Sequence, residues 1–114
     1  MSGGRLPPRL EVAALVRRAE AQGGFATIIH KGDAEGGALL LLVSSRGRYI
    51  ASLTRILGMS GAYEWRATGP GDSADSAEVA AFLAKQRQFD PDLWVVELDI
   101  AEPERFIAET TYSG

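Results

Sequence analysis

No cysteine occurs anywhere in these 114 residues, so a disulfide framework, a cysteine zinc site and a thiol nucleophile are all excluded. Histidine is almost as scarce. A Ser-His-Asp triad or a His-assisted general base would have to use His30, the only one in the chain. Its place beside Ile28 and Ile29 in a strand-like run reads as structural. With one His and no Cys, no transition-metal site is expected, and no spacing of the acidic residues resembles a calcium loop. No cofactor, metal ligand or catalytic residue is therefore assigned. Long apolar runs are missing too. The longest, residues 38–43, falls far short of the roughly 20 residues that span a bilayer. The first ten residues hold two prolines and no apolar segment of a targeting leader, so a cytoplasmic location and no membrane role are expected.

What is present fits one α+β domain. The length lies within the usual single-domain range, and 46% apolar residues suffice for a core. We expect one domain over residues 1–114, with an ordered core of about 6–106 and flexible ends. Pro7 and Pro8 favour a helix start, and Gly23-Gly24 a stop. Between them Val12, Leu15, Val16 and Ala19 form one apolar stripe. Four strand-like runs follow at residues 25–31, 38–43, 49–57 and 62–68, separated by glycine-containing turns. Asp75 and Glu78 have capping-box spacing and open a second helix, with Val79, Phe82 and Leu83 as its buried side. Asp90-Pro91 closes it. Residues 93–100 make a final strand, Trp94, Val96 and Leu98 on one face and Val95, Glu97 and Asp99 on the other. The expected order is α-β-β-β-β-α-β: an antiparallel sheet of four or five strands with two packed helices.

Charge is split along the chain. Nine Lys/Arg face five Asp/Glu through Arg66, a net of +4; beyond it three face ten, a net of −7. Arg46, Arg48, Arg55 and Arg66, with Tyr49, Tyr63 and Trp65, would suit a nucleic-acid face only if all lay on one side. Alternation sets Arg66 opposite to Trp65, which favours aromatics in the core and arginines at the surface. A magnesium nuclease would need an acid on one strand and Glu-x-Lys on the next. The nearest match is Glu64-Trp65-Arg66, and the preceding strand has no acid.

The densest unusual stretch is Phe89-Asp90-Pro91-Asp92-Leu93-Trp94-Val95-Val96-Glu97. Together with Lys31-Gly32-Asp33 and Gly37-Ala38, it resembles an uncharacterised bacterial family catalogued as domain of unknown function fourteen-ninety-one, from the first helix to about Phe106. That resemblance implies a compact bacterial domain, and no activity or site residue. The residues themselves give a structural reading, with Asp90 or Asp92 accepting backbone N–H bonds around Pro91 and Trp94 anchoring the last strand. As binding candidates we take Lys31, Asp33, Arg66, Asp90, Asp92 and Trp94.

Two functional classes follow. The favoured one is a non-enzymatic binding or assembly module. The other is a hydrolase or nuclease-like enzyme acting on a phosphorylated or nucleic-acid substrate, using Asp33, Glu64, Glu97 and Arg66, which requires those groups to converge. A homodimer is also expected, because residues 38–43 are apolar on both faces and the alanine-rich helices offer narrow stripes for cover.

Overall fold

The computed structural model describes residues 7–111. Its elements are α1 (Pro8–Ala21), β1 (Phe25–His30), β2 (Leu39–Ser45), β3 (Arg48–Leu57), β4 (Tyr63–Thr68), α2 (Ser76–Phe89), β5 (Trp94–Asp99) and α3 (Pro103–Thr111). The α+β class holds, with two differences. The tail beyond Glu102 forms a third helix where none was expected. The sheet is mixed, in the order β1-β5-β2-β3-β4.

Of the antiparallel meander expected of the first four strands, β2, β3 and β4 form their part, whereas β1 is parted from β2 by β5. The last strand does not join its edge. Helix α2 carries the chain back across one face, and β5 enters between β1 and β2, antiparallel to the first and parallel to the second. Parallel neighbours need a crossover, which a hairpin-only reading omits. The β2–β3 hairpin is tight, with Arg46 at φ 54° and Gly47 at φ 79°. The Asp99 carboxylate at the end of β5 accepts both of their N–H groups, at 2.9 and 2.8 Å.

The two faces of the sheet carry two cores. On the first face, Leu39, Leu41, Val43, Leu53, Trp65, Trp94, Val96 and Leu98 pack with Val12, Leu15 and Ala19 of α1 and Phe106 of α3. Arg18 fastens the two helices by stacking 4.2 Å from the Phe106 ring centroid and donating to Thr110 at 3.0 Å. On the second face Leu40, Leu42, Leu93 and Val95 lie beneath Phe82 and Leu83 of α2. The doubly apolar β2 is thus covered by helices of its own chain. Leu40 and Leu41 are 2% and 1% exposed, so the ground given for pairing through those leucines is removed.

Asp75 caps α2 as expected. Its carboxylate accepts from the Glu78 N–H at 2.8 Å, and the Glu78 carboxylate accepts from the Asp75 N–H at 3.2 Å. The helix nonetheless has no fully buried residue. Phe82 rests its ring against Gly69, where a Cβ would approach the ring to 2.5 Å. Phe82 and Leu83 pack against the sheet, while Ala80 is too short to fill the gap beside them. That gap is a groove.

Candidate functional site

The six binding candidates separate into a cluster and two outliers. The connection 31–38 must straddle the start of β5 to take the chain from β1 to β2. It does so by pressing backbone on backbone. A Cβ on Gly32 would sit 2.0 Å from the Asp92 carbonyl oxygen, and one on Gly37 2.3 Å from the same atom. Asp33 N–H donates to Asp92 O at 3.0 Å, and the Trp94 indole N–H donates to Asp33 O at 2.8 Å. The Asp33 carboxylate accepts from Gly36 N–H at 2.7 Å, and that of Asp90 from Asp92 N–H at 3.1 Å. Asp33, Asp90, Asp92 and Trp94 therefore converge, and they do so as a clamp that closes the loop over the incoming strand. His30 belongs to the same clamp. Its Nδ1 lies 2.8 Å from the Leu93 carbonyl, which can only accept, so the ring proton is on Nδ1. Lys31 flanks the clamp. Arg66 is distant, on edge strand β4, paired with Glu64 at 2.9 Å.

The enzyme constellation does not assemble. Glu64 and Arg66 are on β4 and Glu97 on β5, three strand positions away in the sheet, or roughly 14 Å. Asp33 is engaged in the clamp. The basic residues also fail to share a face. Arg55 turns to the α1 side, where it pairs with the buried Glu11 and stacks 5.1 Å from the Trp65 ring centroid, whereas Arg66 alternates to the other side.

A groove under α2 combines mostly apolar walls with a few polar groups. Its volume is about 470 Å³, within the range of small-molecule sites. One wall is α2, through Val79, Ala80 and Leu83; the other is the partly exposed Ile29, at the irregularity of β1 between Ile28 and His30. Val79, expected to be buried, instead lines this space. Leu42, Tyr49 and Glu97 make the floor. Glu97 follows three fully buried positions of β5 and is itself half-buried. Its Oε2 accepts from the buried Ser44 hydroxyl at 2.6 Å, a short charge-assisted bond. Tyr49 donates to the Pro70 carbonyl and accepts from the Ser52 hydroxyl, both at 2.7 Å. Burial pushes its pKa above the ordinary tyrosine value, partly offset by the Ser52 bond. The Tyr49–Pro70 bond pins the loop before α2 to the floor and fixes one end of the groove.

Ser44 and Leu83 are absent from the sequence candidates, Tyr49 enters there only as part of a nucleic-acid face, and Glu97 only as part of an enzyme constellation. A usable signal exists: a carboxylate within an otherwise apolar strand. Among the described residues no group of three or more His, Cys, Asp or Glu could hold a metal ion, and no helix is long and apolar enough to cross a membrane.

A small mixed sheet carrying three helices among the described residues, with a clamped crossover and a polar-floored groove under α2, defines a compact α+β domain. The chain belongs to the family described as "Protein of unknown function (DUF1491)", whose model matches residues 6–108. It is similar to a DUF1491 family protein from Caulobacter crescentus CB15. The crystal structure of that protein is 33% identical with TM-score 0.72, covering 82% of this chain and 86% of that one. An NMR structure of a DUF1491 family protein from the same organism is 34% identical with TM-score 0.72, covering 89% of this chain and 91% of that one. A protein from A. tumefaciens, solved in solution, is 32% identical with TM-score 0.72, covering 87% and 89%. No match is found among curated proteins.

Proposed function

We propose that this protein is a non-enzymatic binding module whose ligand seat is the groove between α2 and the sheet. The observation that carries this reading is the seating of α2: a helix with no fully buried residue lies over a groove with apolar walls and one half-buried carboxylate on its floor. Preformed apolar concavity with a few fixed polar groups is the usual form of a small-molecule site. The clamp residues Asp33, Asp90, Asp92 and Trp94 are, in this reading, scaffolding that holds β5 and therefore Glu97 in register. The hydrolase alternative is weaker, because its carboxylates lie three strand positions apart. A bacterial, cytoplasmic setting accords with relatives from bacteria and with a chain free of cysteine. The test is amide chemical-shift mapping with a panel of small neutral, cationic and anionic aromatic compounds. Perturbations should concentrate at Leu42, Tyr49, Val79 and Leu83. Their absence for every compound at about 10 mM, weaker than any useful affinity, refutes the reading.

A second reading, self-association, is favoured by β1. Phe25, Ile28 and Ile29 are each more than 40% exposed on this uncharged edge strand, whereas the opposite edge, β4, carries the Glu64–Arg66 pair. Edges without charge are open to strand pairing, and an antiparallel β1–β1 pair would join two copies into one ten-stranded sheet. Light scattering across a concentration series tests it; a monomer mass throughout, unchanged in Ile28→Lys, rejects it.

A further inference from the structure

We infer that the groove takes a small organic cation, a primary amine or guanidine on an apolar body, with Glu97 as its anchor; this rests on the groove being the ligand seat. Consider the charge first. The Glu97 carboxylate has one described hydrogen-bond partner, the Ser44 hydroxyl at 2.6 Å, which is neutral. No described Lys or Arg forms an ion pair with it. Arg48 lines the same groove, but its guanidinium donates to the Asp72 carbonyl at 3.4 Å on the loop leading to α2. A carboxylate on an apolar floor, shielded by low-dielectric walls, gives the groove a focused negative potential. An anionic ligand would be repelled there. A neutral apolar one would strip water from the carboxylate without replacing it, at a cost in affinity. A cation alone both fills the walls and pairs the charge.

Size and shape agree. A closed cavity of about 150 Å³ is enough for benzene, so about 470 Å³ holds an aromatic or aliphatic body with its ammonium group and some water. The apolar body would lie between Val79 and Leu83 on one side and Ile29 on the other, with Leu42 beneath it and the ammonium at Glu97. The geometry provides for recognition only. Ser44 has no histidine or lysine to activate it, since His30 is held by the Leu93 carbonyl.

The experiment uses three nearly isosteric probes, phenethylamine, 2-phenylethanol and 3-phenylpropionate, titrated into the full chain and into Glu97→Gln while amide shifts are followed. In the wild type the amine should shift Leu42, Tyr49, Val79 and Leu83 and bind about tenfold tighter than the alcohol, with the propionate weakest. Glu97→Gln can still accept from Ser44, so its spectrum should remain dispersed, and amine and alcohol should bind it equally. If alcohol or propionate matches the amine in the wild type, the cation assignment fails while the site survives. If none of the three moves the groove residues, the site itself is wrong. Should Glu97→Gln not fold, the three-probe comparison on the wild type, repeated on the charge-retaining Glu97→Asp, decides alone.

Discussion

Replacing Gly32 with alanine tests the clamp directly. The added Cβ would lie 2.0 Å from the Asp92 carbonyl oxygen, 2.7 Å from the Leu93 carbonyl carbon and 2.8 Å from that of Asp92. All three are backbone atoms, so no side chain can rotate away, and the 31–38 connection has to retreat from β5 by about 1 Å. That retreat breaks the Asp33 N–H to Asp92 O bond of 3.0 Å and pulls Asp33 O from the Trp94 indole, leaving a buried donor with no partner. One lost hydrogen bond costs about 1 kcal/mol and an unsatisfied buried donor about 1–3 kcal/mol. The sum, about 3 kcal/mol, is a large part of a typical domain stability of about 5–15 kcal/mol. For a chain of this length it corresponds to a fall in Tm of roughly 12 °C. Calorimetry and urea titration give the number. Gly36→Ala is the control in the same loop, because its Cβ meets only the Asp33 carboxylate, at 3.3 Å, and it should melt within about 3 °C of wild type. If Gly32→Ala melts with Gly36→Ala, the clamp carries no stability, and the Asp-Pro-Asp-Leu-Trp run has to be explained by a ligand instead.

The remaining predictions concern the two cores and the groove. Tyr49 has a folded-state pKa raised by burial, so its contribution is fully present below the unfolded value near pH 10 and is lost as pH rises through the folded value. The Tm should therefore fall as pH rises above about 10, and less steeply in Tyr49→Phe, which at neutral pH should already be about 1–3 kcal/mol less stable for the two bonds it loses. Leu40→Lys should unfold the protein rather than alter its assembly state, because the leucine is 2% exposed beneath α2; a folded variant by amide dispersion refutes that placement. Arg55→Met removes the cation beside the buried Glu11 and should cost about 2–4 kcal/mol in urea denaturation, discounted for the partial exposure of Arg55, whereas the double change with Glu11→Met should recover most of it.

Local signals in this sequence were legible because they depend on near neighbours. The proline start of α1, the capping box at Asp75 and Glu78, the turn at Arg46-Gly47 and the face alternation of β5 each involve residues within a few positions, and each is present. Strand order was not legible, since the insertion of β5 is decided by a crossover joining residues 50 or more apart. One clue was available and misread. The connection 31–38 is eight residues long, beyond the two to five of a common hairpin loop. Its glycines read as turn punctuation in the sequence, whereas Gly32 and Gly37 are needed where backbone crosses the Asp92 carbonyl.

The same distinction explains the site. The residues conspicuous in sequence, Asp33, Asp90, Asp92 and Trp94, are conspicuous because a clamp of backbone contacts tolerates few side chains, so they mark a constraint of folding. Groove-lining residues such as Leu42, Val79 and Leu83 are ordinary apolar residues of a strand and a helix, and what makes them a site is a void beside Ala80. No periodicity reports a void. It depends on how Phe82 and Leu83 seat α2, and thus on the fit of Phe82 against Gly69, thirteen positions earlier in the chain. Glu97 is the exception, since a carboxylate that follows three apolar residues in a strand with two covered faces must either reach an edge or meet a partner. Register with Leu42 places it inside, and the partner supplied by the chain is a neutral hydroxyl. The charge is thus left for something outside the chain to meet.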